Sequence, residues 1–272
     1  MEDTFKEYMA LAVKVRKRVL EMVYKTQSPH IGPSFSATEL LVSLYFRKEA
    51  RFTRDLNNPN RDRFILSKGH ACPALYAVLL EKGFIEEGGL ERFAVSDGIF
   101  EQHPCRDTSR GIELTTGSLG HGLSVATGMA IALRRDGKDY RVYALLGDGE
   151  LNEGSSWEAA MFASHHRLDN LVAIVDYNKM QALGYTRDII NLEPLSQKWS
   201  SFGWAAREVD GHDFGQILGC LGSLPFSKGQ PSVIIAHTIK GKGVSFMEDK
   251  LLWHYRAPSK EEYEMALREL SQ

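Results

Sequence analysis

Two short polar segments carry the residues best suited to bind a metal ion. Gly147-Asp148-Gly149 follows one apolar run, and Asn178 follows the next apolar run about thirty residues later. A carboxylate and an amide oxygen are hard ligands of the kind that Mg²⁺ takes, and the backbone carbonyl of Met180 is a third candidate. The two glycines allow the backbone to approach a diphosphate closely. Gly-Asp-Gly alone is equally consistent with a strand-ending turn, but its combination with Asn178 favours a site.

A strand–helix–strand unit is expected to position both segments. Residues 140–146 and 171–175 are apolar runs typical of buried strands, and residues 152–167 between them have helical length with few breakers. Such strands should be parallel and should end at the same edge of the sheet, where open α/β folds bind ligands. We therefore expect Asp148 and Asn178 to face one ligand, whose negative charge the first amides of the helix would favour.

Longer segments carry a family resemblance. Gly-Asp-Gly followed by asparagine about thirty residues on is similar to the diphosphate-binding motif of thiamine-diphosphate enzymes. From about Ser28 to Pro258 the chain resembles transketolase, and the similar segments occur in the family's order: Asp62–His70 (DRFILSKGH), Glu113–Ala130 (ELTTGSLGHGLSVATGMA), Gly147–Ala160 (GDGELNEGSSWEAA) and Phe202–Asp213. The resemblance covers the first of the three domains of a full transketolase. It implies that thiamine diphosphate is the cofactor, with Mg²⁺, or Ca²⁺ or Mn²⁺ in its place.

The resemblance assigns catalytic roles to four histidines. His30, His103 and His254 match family histidines that lie near the donor substrate, and His70 matches one near the diphosphate. The residues next to His30, His103 and His254 depart from the usual family segments, so the resemblance supports their position better than their role. Together the four histidines are expected to handle donor hydroxyls and protons.

The same resemblance implies the remaining contacts of the cofactor. In the family a glycine-rich loop approaches the cofactor around Gly117 and Leu119, and Glu153 matches an acidic position at the subunit interface. The predicted cofactor-binding set is therefore His70, Gly117, Leu119, Gly147, Asp148, Gly149, Glu153 and Asn178. The predicted metal ligands are Asp148, Asn178 and the carbonyl of Met180.

Composition restricts the class of protein. The chain has 272 residues, 43% of them hydrophobic, and a formal net charge of −2, so nothing indicates binding to nucleic acid or to an acidic membrane surface. Three scattered cysteines without a C-x-x-C motif favour a reducing compartment over a disulfide framework. The charged first twenty residues are unlike a signal peptide, and no apolar run is long enough to span a bilayer. We expect a soluble, cytoplasmic protein.

Strands alternating with helices, without an internal repeat or linker, predict one doubly wound α/β domain over residues 1–272. Its sheet should be mostly parallel, with helices on both faces. Helices are expected at the amphipathic N-terminus, at 37–45, 73–82 and 123–134, and after Ser259, which starts a Ser-x-x-Glu capping box. Residues 181–195 are expected to form a loop.

The resemblance implies transfer of a two-carbon ketol unit from a ketose (phosphate) donor to an aldose (phosphate) acceptor. In the family, a pyrimidine-binding domain supplies the other half of the site, including a glutamate for which this sequence shows no substitute. We therefore expect the N-terminal subunit of a split transketolase. The pyrimidine-binding and C-terminal domains should lie on a partner chain, in a heterotetramer of two plus two subunits.

Other interpretations remain open at this stage. The nearest is the alpha subunit of another split thiamine-diphosphate enzyme, such as a 2-oxoacid dehydrogenase, although the four histidines and the SKGH and TTGSLG segments favour transketolase. A metallohydrolase would need a ligand spacing such as H-x-x-x-H, which is absent. A Cys105–His103 nucleophile has no third group to orient it. A non-catalytic, partner-binding half would have no need to keep Asp148, Asn178 and the histidines together.

Overall fold

A parallel sheet of five strands forms the centre of the computed structural model, which describes residues 2–55 and 58–272, with side chains from residue 5 onward. The strands in chain order are β1 (Arg63–Leu66), β2 (Val142–Gly147), β3 (Leu171–Tyr177), β4 (Ala205–Asp210) and β5 (Ser232–His237). Their order across the sheet is β1-β2-β3-β5-β4, and every neighbouring pair is parallel. The carboxyl ends of all five strands therefore meet at one edge of the sheet.

Helices cover both faces of this sheet. In chain order they are α1 (Glu2–Thr26), α2 (Ile31–Ser36), α3 (Thr38–Phe46), α4 (Cys72–Glu81), α5 (Gly122–Arg135), α6 (Gly154–His165), α7 (Thr186–Ile189), α8 (Leu195–Ser201), α9 (Phe214–Gly222) and α10 (Lys260–Glu269). Buried side chains of α1, α3, α4, α9 and α10 form one hydrophobic core with the sheet, and those of α5, α6 and α8 form the other.

Alternation along the strands feeds these two cores. On β2, Tyr143 and Leu145 enter the core beneath α1 and α4, while Ala144 and Leu146 enter the core beneath α5 and α6. A strand buried on both faces must be apolar at every position, which explains why β2 and β3 stand out in the sequence as continuous apolar runs. The predicted fold, a mostly parallel sheet wound on both sides by helices, is confirmed.

Three local predictions are wrong in detail. The helix expected at 152–167 begins only at Gly154, because residues 149–152 form a 3-10 turn whose first amide is capped by the Asp148 side chain. The amides closest to Asp148 thus belong to that turn. Residues 181–195, expected to be a loop, contain α7 and part of a short hairpin of Met180–Gln181 with Gly184–Tyr185. Two-residue strands are too short to show periodicity.

The chain ends in the predicted helix. Ser259 accepts a hydrogen bond from the backbone of Glu262, whose side chain accepts one from the backbone of Ser259, as a capping box requires. Among the helices that the structure describes, none combines the length and the apolar character needed to cross a membrane.

Candidate active site

Polar residues at the ends of four strands surround one cavity of about 320 Å³. Asp148 directly follows β2 and Asn178 directly follows β3. Lys68 lies just beyond β1, and Lys240 lies in the loop after β5. Because the strands are parallel, these four side chains converge at the carboxyl edge of the sheet. The expectation that Asp148 and Asn178 face the same space is met.

The cavity brings together every residue that the sequence predicted for the site. Its lining includes His30, His70, His103, Gly117, Leu119, Gly147, Asp148, Gly149, Glu153, Asn178, Met180 and His254. The individual roles assigned to them stay predictions. The lining also contains residues that sequence reasoning missed, namely Lys68, Glu150, Gln181, Lys240 and Tyr255.

Asp148 is a buried carboxylate without a cationic partner. Its side chain accepts hydrogen bonds from two backbone amides, those of Gly149 at 2.8 Å and Lys179 at 2.5 Å, and it forms no ion pair with any described side chain. Burial raises the pKa of Asp148 to about 7, and the nearby Asp176 carboxylate adds to this effect. An uncompensated carboxylate in such a place is stabilised by a bound cation.

Asn178 completes one side of a cation site. Its Oδ1 accepts a hydrogen bond from the Met180 amide at 3.1 Å, and its Nδ2 lies 3.5 Å from the hydroxyl of Ser36. These contacts orient the amide and leave lone-pair capacity on Oδ1, since an amide oxygen accepts two hydrogen bonds. Asp148 and Asn178 thus fit a hard divalent cation, with the Met180 carbonyl as the third predicted ligand.

A second buried aspartate, Asp176, shows the opposite arrangement. It is fully buried and is paired with the ammonium of Lys68, and the hydroxyls of Ser36 and Thr238 also donate to it. Burial alone would raise its pKa, but Lys68 outweighs burial and lowers the pKa of Asp176. Lys68 also donates to the carbonyl of Pro33 at 3.0 Å. This network fixes the floor of the cavity, with its charge balanced internally.

Four histidine rings form a cluster above this floor. The centroid of the His30 ring lies 5.4 Å from those of His70 and His254 and 5.7 Å from that of His103, and the His70 and His254 rings are 5.4 Å apart. Burial is the first cause that lowers the pKa of each, to about 4 for His30 and about 3 for His254. Neighbouring cationic groups, including Lys68 and Lys240, lower the pKa of His70, His30 and His254 further. The cluster is therefore neutral near pH 7 and can accept or donate protons.

His30 is held in an unusual backbone conformation. It lies at φ 76°, ψ 24° immediately before α2, and its amide donates to the carbonyl of His254 at 3.0 Å. Non-glycine residues rarely adopt this left-handed region, and histidine is among those that tolerate it best. His30 does precede a helix, as a helix-capping histidine would. Its side chain forms no capping hydrogen bond and lines the cavity instead.

Lys240 and His254 form a buried pair in the cavity wall. The Lys240 ammonium lies 2.8 Å from Nδ1 of His254, which must accept the hydrogen bond because a protonated lysine only donates. The proton of the neutral imidazole therefore resides on Nε2. Burial lowers the pKa of Lys240 to about 8, helped by the positive charge of Lys68. Lys68 and Lys240 together supply buried positive charge suited to an anionic ligand.

Glycines give the backbone of this cavity its shape. Gly117 has φ +147°, and a Cβ there would lie 3.1 Å from the His103 ring. At Gly149 a Cβ would meet the side chain of Gln181 at 2.6 Å. At Gly147 the nearest atom to a built Cβ is 3.7 Å away, so the protein's own packing leaves room there. A side chain at Gly147 would occupy space in the cavity that a diphosphate could use.

Glu150 connects three of the loops that form the site. It is buried, and it accepts hydrogen bonds from the amides of Gly120 at 2.9 Å and Gly147 at 3.1 Å and from the hydroxyl of Ser67. Burial raises its pKa. Glu150 thus holds together the segments that carry His70, Leu119 and Asp148. Its place inside the GDGE segment is the only signal for it in the sequence.

The arrangement fits a metal–diphosphate group better than a bare catalytic metal. No group of three or more His, Cys, Asp or Glu side chains is placed to hold a metal in residues 5–55 and 58–272, which gives the metallohydrolase alternative no support. Asp148 and Asn178 would instead need phosphate oxygens to complete an octahedron. Cys105 is exposed, and no hydrogen bond of its sulfur occurs among the described residues.

Comparisons with known proteins agree with this geometry. Residues 8–270 match the family model described as transketolase, thiamine diphosphate binding domain. The chain is 43% identical to one of the named subunits of apulose-4-phosphate transketolase from Phocaeicola vulgatus, over 95% of this chain and 92% of that protein. It is 44% identical to the 6-deoxy-6-sulfo-D-fructose transketolase subunit SqwG of a Clostridium species, over 94% of this chain and 93% of that protein.

The fold is also similar to that of solved enzymes. The crystal structure of transketolase from Campylobacter jejuni superposes with a TM-score of 0.89 at 28% identity. The match covers 97% of this chain and 42% of the Campylobacter chain, so the present chain spans about two fifths of that longer enzyme.

Proposed function

Because this chain belongs to the transketolase family, as its thiamine-diphosphate-binding domain, we propose that it is the N-terminal subunit of a two-component transketolase. Its reaction is the transfer of a two-carbon ketol unit from a ketose phosphate to an aldose phosphate. The observation that carries this proposal is the convergence of the unpaired Asp148, Asn178 and four neutral histidines around one cavity.

The cation and the diphosphate would be held by different residues. Mg²⁺, or Ca²⁺ or Mn²⁺ in its place, binds Asp148, Asn178 and the Met180 carbonyl, and it neutralises the carboxylate that the protein leaves unpaired. Lys68 and Lys240 provide positive charge for the diphosphate. When bound, thiamine diphosphate supplies a nucleophilic carbon that makes and breaks the carbon–carbon bond next to a carbonyl.

The histidines handle protons at the substrate. His30 and His103 hold the hydroxyls of the donor, while His70 and His254 lie toward the diphosphate. A neutral imidazole can accept a proton at one nitrogen while it donates from the other, so the low pKa values of these groups suit them to proton transfer near pH 7. Glu153, exposed at the start of α6, lines the cavity on the side of the Leu119 loop and faces the partner.

The second half of the site belongs to a partner chain with the pyrimidine-binding domain, in an assembly of two plus two subunits. Residues 1–272 then form a single domain. Support comes from relatives of similar length that are themselves named as subunits. Their names point to sugar phosphates or sulfonated sugars as the substrate class. We place the complex in the cytoplasm.

The match to the transketolase family disfavours the 2-oxoacid dehydrogenase alternative. A non-catalytic half is tested directly by activity. Native mass spectrometry of the protein from its own source, with thiamine diphosphate and Mg²⁺ present, should show a second polypeptide and bound cofactor. The isolated complex should transfer a ketol unit between sugar phosphates. A complex that binds the cofactor but decarboxylates 2-oxoacids, or has no activity, would contradict the proposal.

A further inference from the structure

His212 lies outside the cavity but contacts a segment that enters it. It follows the carboxyl end of β4, and Ile239 follows the carboxyl end of the parallel neighbour β5. Nε2 of His212 lies 2.8 Å from the backbone nitrogen of Ile239. The two turns are in close contact, since a Cβ at Gly211 would lie 2.4 Å from Cγ2 of Thr238.

This contact fixes the tautomer of His212. A backbone amide is only a donor, so Nε2 must carry the lone pair, and the proton of the neutral ring must be on Nδ1. Nδ1 lies 3.0 Å from Oε2 of Glu39. The Nδ1–H group therefore donates to the carboxylate, and one ring connects Glu39 to the backbone of Ile239.

Glu39 is held in the ionised form that this arrangement needs. It is buried, and burial alone would raise its pKa, but Arg16 at 2.7 Å and the His212 hydrogen bond outweigh burial and lower the pKa of Glu39 to about 2. Arg16 also donates to the carbonyl of Phe35 at 3.0 Å. The acceptor for Nδ1–H is thus fixed between α1 and α3.

The segment that His212 contacts carries two side chains of the site. On one side of Ile239, the Thr238 hydroxyl donates to Asp176 in the cavity floor. On the other side, the Lys240 ammonium contacts His254, and the Lys240 carbonyl accepts from the Asp249 amide at 2.9 Å. A shift of the backbone at Ile239 would therefore move Lys240 relative to His254.

From this geometry we infer that His212 is a positioning residue, which sets the Ile239 backbone through Nε2 and so holds Lys240 against His254 at the diphosphate end of the site. The inference rests on the proposed function, because it assumes that Lys240 faces a bound diphosphate. His212 itself touches neither the cavity nor the cofactor, so it acts through Lys240.

Two substitutions of His212 separate its two nitrogens. In His212→Gln the amide oxygen takes the place of Nε2 and can still accept from Ile239, while the bond to Glu39 is lost. In His212→Asn the shorter amide takes the place of Nδ1 and can still donate to Glu39, while Ile239 loses its acceptor. Both variants remove the ring, so a purely structural role would affect thermal stability without this order in cofactor affinity.

The test is calorimetric titration of the full chain with thiamine diphosphate and Mg²⁺, together with thermal unfolding of each variant. We expect His212→Asn to weaken cofactor binding about 2- to 10-fold, the range for loss of one neutral hydrogen bond, and His212→Gln to stay within about 2-fold of the wild type. Equal affinities, or weaker binding by the glutamine variant, would overturn the inference. Absence of binding by the wild-type chain, alone and with its partner, would instead count against the proposed function.

A second measurement does not depend on the cofactor or on the folding of a variant. Carbon and nitrogen NMR shifts of labelled histidine in the wild-type chain report which ring nitrogen carries the proton. The geometry requires the Nδ1–H form at His212. Observation of the Nε2–H form at neutral pH would refute the inference even if both variants unfold.

Discussion

The neutral state of the histidine cluster should make stability depend on pH in a defined window. His30 and His254 have pKa values of about 4 and about 3 in the folded protein, against 6.5 for an ordinary histidine. The folded state therefore binds fewer protons than the unfolded state between these values. The stabilisation is complete above about pH 6.5 and is lost as the pH falls toward 4 and 3. At about pH 5, protonation of the unfolded chain costs about 2 kcal/mol of stability per histidine, or roughly 4 kcal/mol for the pair.

The assay is urea unfolding at about pH 7 and about pH 5, on the wild type and on the double variant His30→Asn, His254→Asn. Asparagine tolerates the left-handed backbone at position 30 and does not titrate. The wild type should lose about 4 kcal/mol more of its unfolding free energy than the double variant does between the two pH values. His165→Asn, at the exposed end of α6, is the control and should behave like the wild type. Equal losses in the wild type and the double variant would show that the cluster is not held neutral.

Three further substitutions test the cavity and its floor. Asp148→Ala should abolish Mg²⁺-dependent binding of thiamine diphosphate in a calorimetric titration, and unchanged affinity would rule out the metal assignment. Lys68→Met leaves Asp176 buried without its cation, so urea unfolding should show a loss of about 3–5 kcal/mol, most of which a second change, Asp176→Asn, should recover. If Lys68→Met is neutral, the pair does not hold the floor together. Gly117→Ala forces a side chain into a conformation at φ +147° and against His103, so we expect a loss of about 1–3 kcal/mol in the same assay and weaker cofactor binding, whereas wild-type behaviour would mean that this loop adapts freely.

The centre of the fold is predictable because burial on both faces forces a simple sequence pattern. β2 and β3 are apolar throughout, and the segment between them has helical length, so the parallel unit and the shared edge of Asp148 and Asn178 follow from local sequence. The resemblance to transketolase adds the histidines, which come from four separate loops. No local pattern could have shown that His30 and His254 lie 5.4 Å apart, because 224 residues separate them.

The supporting residues escaped prediction for a physical reason. An isolated lysine such as Lys68 normally indicates solvent exposure, yet here it is buried because its partner Asp176 lies on another strand, far away in sequence. Asp176 itself carried a usable signal, since it interrupts an otherwise apolar strand. His212 and Glu150 gave none, because their value depends on backbone amides that only the tertiary structure brings to them.

The two aspartates at the ends of β2 and β3 show how one sheet edge can be both stable and ready to bind. They occupy equivalent places, since Gly147 pairs with Asp176 in the register of the sheet. Asp176 has a lysine and two hydroxyls, so its charge is satisfied by the protein and its pKa is lowered. Asp148 has backbone amides alone, so its pKa is raised and its charge requires a partner that the chain does not supply. Replacing the partners of Asp176 should therefore destabilise the fold, whereas Asp148 is a site at which stability has been given up for binding.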